Sequence, residues 1–204
     1  WEWLGRRLPR NAVAADLGMS STYLLMPLSD IEPWPPRSLI TDSPGESESA
    51  LRFAKLAEET ITVERSLHEN YGKRWKLSPH DMLNEPMAPT NYAYTRHMLA
   101  VAQGGTATEI AVVALPCAWI YCVVGKHFLK NGPPSAKHPY RDWLMLYASP
   151  EFEAVQEWMR ARVDTWARTA GHEEKKRMEQ AFLISSKYEW MFWEMAWNEE
   201  KWPV

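Results

Sequence analysis

At 204 residues the chain has the length of one domain, enough to bury a substantial core. Apolar residues make up 46% and charged residues 24%, an ordinary globular composition. A net charge of −3 leaves no electrostatic footprint for nucleic acid or an anionic membrane, and excludes both as expected partners.

The longest uncharged apolar run, Ile110 to Val124, is shorter than the roughly 20 residues of a membrane span and suits a buried core helix. Twelve tryptophans point to deep aromatic packing, with a pocket for a flat ligand as the sharper reading. The chain opens on Trp1 rather than Met, as a fragment or trimmed chain would, and without a secretory signal pattern. Cys117 and Cys122 are its two cysteines, and on a helix they lie roughly 140° apart, too divergent to bridge. Free thiols place the chain in a reducing compartment, the cytoplasm.

Residues 1–48 read as an irregular, Pro-rich segment, carrying Pro27, Pro33, Pro35, Pro36 and Pro44. Residues 49–204 read as one helical domain, with no convincing period-two alternation for a sheet. The first helix is expected from Ser49 to Trp75, followed by a loop containing Pro79, Pro86 and Pro89. Thr90 is the expected cap of a second helix to Ala102, stopped by Gly104-Gly105. A third starts at Thr106 or Thr108 and reaches about Leu129, before Asn131-Gly-Pro-Pro134. Short and long helices follow from Pro139 to Leu146, Pro150 to about Ala170, and Glu173 to about Glu200. Helices of this length on short loops imply an all-α bundle.

The third helix carries the most chemistry. Ala114-Leu-Pro-Cys-Ala-Trp-Ile-Tyr-Cys-Val-Val-Gly125 is apolar on all sides and is expected to be buried. Pro116 removes one helix hydrogen bond beside Cys117, and Tyr121 shares the face of Cys117 one turn on. Alone, Cys117 reads as a small core hydrophobe. Its neighbours, and an apolar stripe on the last helix centred on Glu189, argue for a nucleophile. That stripe runs Phe182, Ser185/Ser186, Glu189, Phe192/Trp193, Ala196. A glutamate so placed either serves as a structural group satisfied by a hydroxyl or keeps its proton near neutrality as an acid/base. Tyr94, Tyr121 and Tyr147, on three apolar helices, offer ring faces and hydroxyls to a heteroaromatic ligand. As plain core tyrosines, each would bond to backbone instead.

Glu64 and His68 have the i, i+4 spacing of paired metal ligands. The last helix answers with Glu189 and Trp193 rather than a second Glu–His pair, so Glu64 and His68 read as a surface or capping pair, and no metal site is expected. The run Glu173-Glu-Lys-Lys-Arg177 reads as a solvated helical start.

Leu115-Pro-Cys-Ala-Trp-Ile-Tyr121 resembles the central motif of the TenA/thiaminase II family. Pro89-Thr-Asn-Tyr-Ala-Tyr-Thr95, His138 to Tyr147 and Phe182 to Trp193 resemble its other blocks, in the same order. The resemblance covers about Ser49 to Trp202. It implies a heme-oxygenase-like helical bundle without heme or other cofactor, assembled as a homotetramer. It implies a pyrimidine small-molecule substrate: an aminomethylpyrimidine breakdown product of thiamin, or thiamin itself, hydrolysed to hydroxymethylpyrimidine. The family's nucleophile falls on Cys117, its acid/base glutamate on Glu189, and its active-site tyrosines on Tyr94, Tyr121 and Tyr147. A cysteine at this position implies the cysteine-bearing branch.

The family's N-terminal Tyr-Leu-x-Gln-Asp-like stretch, whose aspartate grips the aminopyrimidine, has only a faint counterpart in Tyr23-Leu-Leu-Met-Pro-Leu-Ser-Asp30. The pattern assigns that aspartate to neither Asp30 nor Asp42 and leaves its identity open. The competing function is therefore a pocket that binds a pyrimidine or other aromatic without turning it over.

Overall fold

The computed structural model describes residues 44–204, and the expectations for the segment before Pro44, including Asp30 and Asp42, lie outside the described residues. Among the described residues the chain is helical throughout and forms no strand. Helix α1 spans Pro44–Glu59, so the helical part begins five residues ahead of the expected Ser49. Proline is at home at the first helical position, where its missing N–H would have had no partner anyway.

A π turn, Thr60–Glu64, joins α1 to α2, Arg65–Trp75, where one unbroken helix was expected. Thr60-Ile-Thr-Val63 is a run of β-branched residues, which crowd an α-helix. The Thr60 and Thr62 hydroxyls donate back to the carbonyls of Leu56 and Glu58, each at 2.9 Å, a pattern that loosens the turn. In the expected loop lies a short helix, α3, Pro79–Asn84, held by a capping box between Ser78 and Asp81. The hydrogen bonds from Ser78 also hold the Asp81 carboxyl below its usual range.

Helix α4 spans Pro89–Gly104. Thr90 is inside it rather than its cap, and its N–H donates to the Glu200 carboxylate at 2.9 Å. A side chain 110 residues away supplies what a local cap would. Helix α5, Ala107–Leu129, is capped by Thr106, whose hydroxyl pairs with the N–H of Glu109 while the Glu109 side chain returns to the Thr106 N–H. Helices α6 (Arg141–Tyr147), α7 (Pro150–Thr169, capped by Ser149) and α8 (His172–Trp197) complete the chain.

The described residues divide into two compact units, one holding those up to Thr95 together with Phe192–Val204, the other Arg96–Met191. In the first, Tyr71 and His68 are buried on α2, and Trp202 lies edge-on to Tyr92 with its indole N–H on the Met87 carbonyl. The burial of His68 corrects the surface reading of Glu64 and His68.

In the second unit α5 packs along α6 and α7. By length and composition this 23-residue helix could cross a membrane, because it extends beyond the uncharged run at both ends. Its burial of Glu109 and Thr108 and its packing against two helices are those of a core helix. It is not buried on all sides, since Val123 is 56% exposed. Val112 and Val113 meet Met178 and Ala181 of α8 in an apolar cluster. The charged start of α8 is more than a solvated face. Arg177 Nε donates to buried Glu109 at 2.7 Å, and Glu174 accepts from the Thr106 hydroxyl at 2.7 Å. These bonds fix the first turns of α8 on the capped end of α5.

The tightest contact is at Gly125, where an added Cβ would come within 2.8 Å of the Ala148 nitrogen and the Tyr147 carbonyl carbon. Backbone cannot yield there as a flexible side chain would. We expect Gly125→Ala to destabilise the protein by about 1–3 kcal/mol, the cost of overpacking, read as a lowered Tm. An unchanged Tm would show that α5 and α6 can separate freely.

Candidate active site

Three residues of α5, Cys117, Tyr121 and Gly125, recur every four positions and so form one stripe along the helix. Gly125 brings the stripe against the end of α6. One turn back, Tyr121 is 2% exposed and its ring lies 5.0 Å from that of Tyr147 and 5.6 Å from that of Trp143. Trp143 and Tyr147, four apart on α6, are themselves 4.7 Å apart, and Phe152 from α7 meets Tyr147 edge-on at 4.8 Å. The result is a four-ring cluster with tilted and T-shaped contacts, the arrangements that ring quadrupoles favour.

Cys117 stands one further turn along the stripe and is half-buried. Pro116 beside it is fully buried, and α5 continues through it although the Val112 carbonyl loses its usual N–H donor. Cys122 lies off the stripe and is buried. Burial pushes its thiol above the usual range, only partly countered by Lys126. Lys126 itself is hydrogen-bonded to Glu153 of α7, which raises its pKa and ties the outer faces of the two helices.

Glu189 is 1% exposed on α8, with Ser185 one turn before it at 0% and Phe192 three residues after it at 2%. The expected apolar stripe is thus a buried one. Tyr94 is buried at 0% on the part of α4 that belongs to the first unit. Of the five residues singled out in the sequence, the structure brings Tyr121 and Tyr147 into ring contact and sets Cys117 on the same face of α5.

Other residues were not legible as part of a site. Trp143 and Phe152 complete the ring cluster, and their signal was only the aromatic spacing around Tyr147. His97, which shows no ligand spacing, contacts Ser185 across from α4 at 3.2 Å. It also lines an open groove of about 350 Å³ with Val101, Glu109, Arg177, Ala181 and Ile184.

The profile of the TENA/THI-4/PQQC family matches residues 41–199. The chain belongs to that family. It is 39% identical over 151 residues to the aminopyrimidine aminohydrolase of Halalkalibacterium halodurans, covering 74% of this chain and 67% of that one. To the aminopyrimidine aminohydrolase of Bacillus subtilis it is 34% identical over 152 residues, covering 74% and 63%. That of Helicobacter pylori is 28% identical over 153 residues, with 74% and 70% covered. The matched segment thus spans about two thirds of these relatives' length. Among solved structures, a TenA homologue from P. horikoshii superposes with a TM-score of 0.69 at 26% identity, over 93% of this chain and 82% of that one. A TenA homologue from Pyrococcus furiosus, at 20% identity, gives a TM-score of 0.66 over 92% and 82% and supports the fold alone. The fold is the all-α, heme-oxygenase-like one of TenA proteins.

The two thiols differ enough to be told apart chemically, because only the thiolate alkylates and it must be reachable. Iodoacetamide at neutral pH is expected to modify Cys117 in the folded protein and to spare Cys122 until the pH rises well above the ordinary thiol range. Peptide mass spectrometry reads the ratio, and preferential labelling of Cys122 would contradict the burial assigned here.

Proposed function

We propose that this chain is an aminopyrimidine aminohydrolase of the thiaminase II type, with Cys117 as nucleophile, Glu189 as acid/base, and Tyr94, Tyr121 and Tyr147 as substrate-binding residues. The observation that carries the reaction is the match to three relatives named aminopyrimidine aminohydrolase at 28–39% identity. The residue roles draw support from the stripe of α5, which sets a half-buried thiol one turn from a cluster of rings.

In this mechanism the Cys117 thiolate adds to an electron-poor ring carbon of the aminomethylpyrimidine. The electron pair pushed into the ring expels the amino group from the exocyclic methylene carbon, and Glu189, as carboxylic acid, gives that group its proton. Ammonia leaves. The resulting carboxylate then takes a proton from water as its oxygen bonds to the methylene carbon. Ring electrons return, the thiolate departs, and the products are hydroxymethylpyrimidine and ammonia. Thiamin follows the same course with its thiazole as the leaving group. Burial of the glutamate suits both duties, because a carboxyl shielded from water holds its proton more readily.

The test is ammonia release from 4-amino-5-aminomethyl-2-methylpyrimidine. Cys117→Ala and Glu189→Gln are each expected to lower kcat by about 100-fold or more, the scale of losing a nucleophile or a general acid. Full activity in Cys117→Ala would overturn the assignment, and tight binding without turnover by the unmodified chain would favour a binding protein.

The reading extends to a homotetramer in the cytoplasm. Leu183 and Trp190, seven apart on one face of α8, are 49% and 66% exposed, with Met191 beside them at 39%. Large apolar side chains grouped on a helix face suit a subunit contact. Sedimentation is expected to give about four times the chain mass, and Trp190→Glu to shift it toward smaller species. A monomer at micromolar concentration would refute this assembly.

A further inference from the structure

Helix α4 begins without a cap of its own. The Ala88 carbonyl accepts from the Tyr92 N–H at 2.9 Å, the first helical bond, so Ala88 holds the capping position. An alanine side chain has no oxygen to offer the orphaned N–H groups of the first turn. The segment that follows α8 supplies what is lacking. Glu200 accepts from the N–H of Thr90, the second helical residue, at 2.9 Å, as the side chain of a capping serine or aspartate would. Trp202 donates its indole N–H to the Met87 carbonyl, just ahead of the cap, at 2.8 Å. Its ring lies edge-on to that of Tyr92, the fourth helical residue, at 5.9 Å. Those are the two positions that a hydrophobic staple joins.

The direction of this segment is built into the end of α8. The Glu199 N–H donates to the Ala196 carbonyl at 3.4 Å and the Glu200 N–H to the Met195 carbonyl at 3.0 Å, the paired bonds of a Schellman turn. The turn holds Glu199 at φ 49°, a left-handed conformation where glycine is usual. The chain thus leaves α8 at a defined residue, and Glu200 and Trp202 reach the start of α4.

Thr90 connects that contact to the candidate site. In an α-helix the N–H of Tyr94 bonds to the carbonyl of Thr90, four residues back. The residue that Glu200 holds by its N–H therefore carries Tyr94 on its carbonyl. Thr90 and Tyr94 are both buried, at 7% and 0% exposure, whereas Trp202 is 49% exposed.

We propose that Glu200 and Trp202 are positioning residues for Tyr94, acting as a strap that caps and staples the first turn of α4 and so fixes the tyrosine against substrate. This rests on the reading of Tyr94 as a substrate-binding residue. The strap acts on binding, because Tyr94 is the residue it holds.

The experiment compares Glu200→Ala, Glu200→Gln and Trp202→Ala with the unmodified protein. By amide hydrogen exchange, the N–H groups of Thr90 to Tyr94 are expected to exchange about tenfold faster in Glu200→Ala and Trp202→Ala, while those of Val112 and Val113 keep their rates, which separates local loosening from global unfolding. Glu200→Gln retains an acceptor oxygen at the same reach and is expected to restore most of the protection. In steady-state ammonia release, the two alanine variants are expected to raise KM about fivefold with kcat changed less than about twofold, the pattern of lost binding rather than lost chemistry. Calorimetry with hydroxymethylpyrimidine is expected to show Kd raised by the same factor.

Unchanged exchange at Thr90 to Tyr94 would overturn the proposal, as would faster exchange with KM and Kd unmoved. A fall in kcat with KM preserved, or Glu200→Gln as damaging as Glu200→Ala, would do the same. Absence of ammonia release by the unmodified chain would sink the aminohydrolase reading by itself, and the comparison of Kd values would still decide the role of the strap.

Discussion

The arrangement of the second unit depends on the close approach at Gly125. No side chain separates α5 from the Tyr147–Ala148 peptide there, so the two backbones meet as nearly as sterics allow. That contact sets the register of α5 against α6 and α7. One turn away it leaves Tyr121 at the right height to meet Tyr147 and Trp143, and one turn further it sets Cys117. A glycine and a tyrosine four residues apart thus do jointly what neither does alone. One permits the approach, and the other meets the rings of Tyr147 and Trp143 across it.

At its opposite end α5 is anchored by charge. Glu109 serves its own helix as half of the capping box and at the same time receives Arg177 from α8. Thr106 also has two duties, accepting from the Glu109 N–H and donating to Glu174. A carboxylate at 5% exposure would be costly without such partners. The charged segment at the start of α8 therefore supplies what the buried end of α5 requires. Its outward residues, Glu173 and Lys176, pair with each other at 3.0 Å and are exposed.

Some helix starts with purely local signals were legible. Thr106 with Glu109, and Ser149-Pro150, carry their own hydrogen-bonding logic, and the structure agrees with them. Thr90 misled because its N–H is satisfied by Glu200, a partner that only folding brings near. The π turn escaped notice because a β-branched run lowers helix preference without naming the alternative. The pattern of prolines suggested a loop where Ser78 and Asp81 build a short helix. In the candidate site, Cys117, Tyr121 and Glu189 could be read because their helices are apolar enough to make polar residues stand out. His97 could not. Its meaning lies in a contact with Ser185, 88 residues away, and spacing along the chain carries no trace of it.

The thiol and the carboxyl occupy different kinds of surroundings, and the proposed chemistry needs that difference. A nucleophile must be reached by its substrate, and Cys117 is half-buried rather than sealed. An acid/base group must hold a proton until the leaving group demands it, and Glu189 is withdrawn from water at 1% exposure.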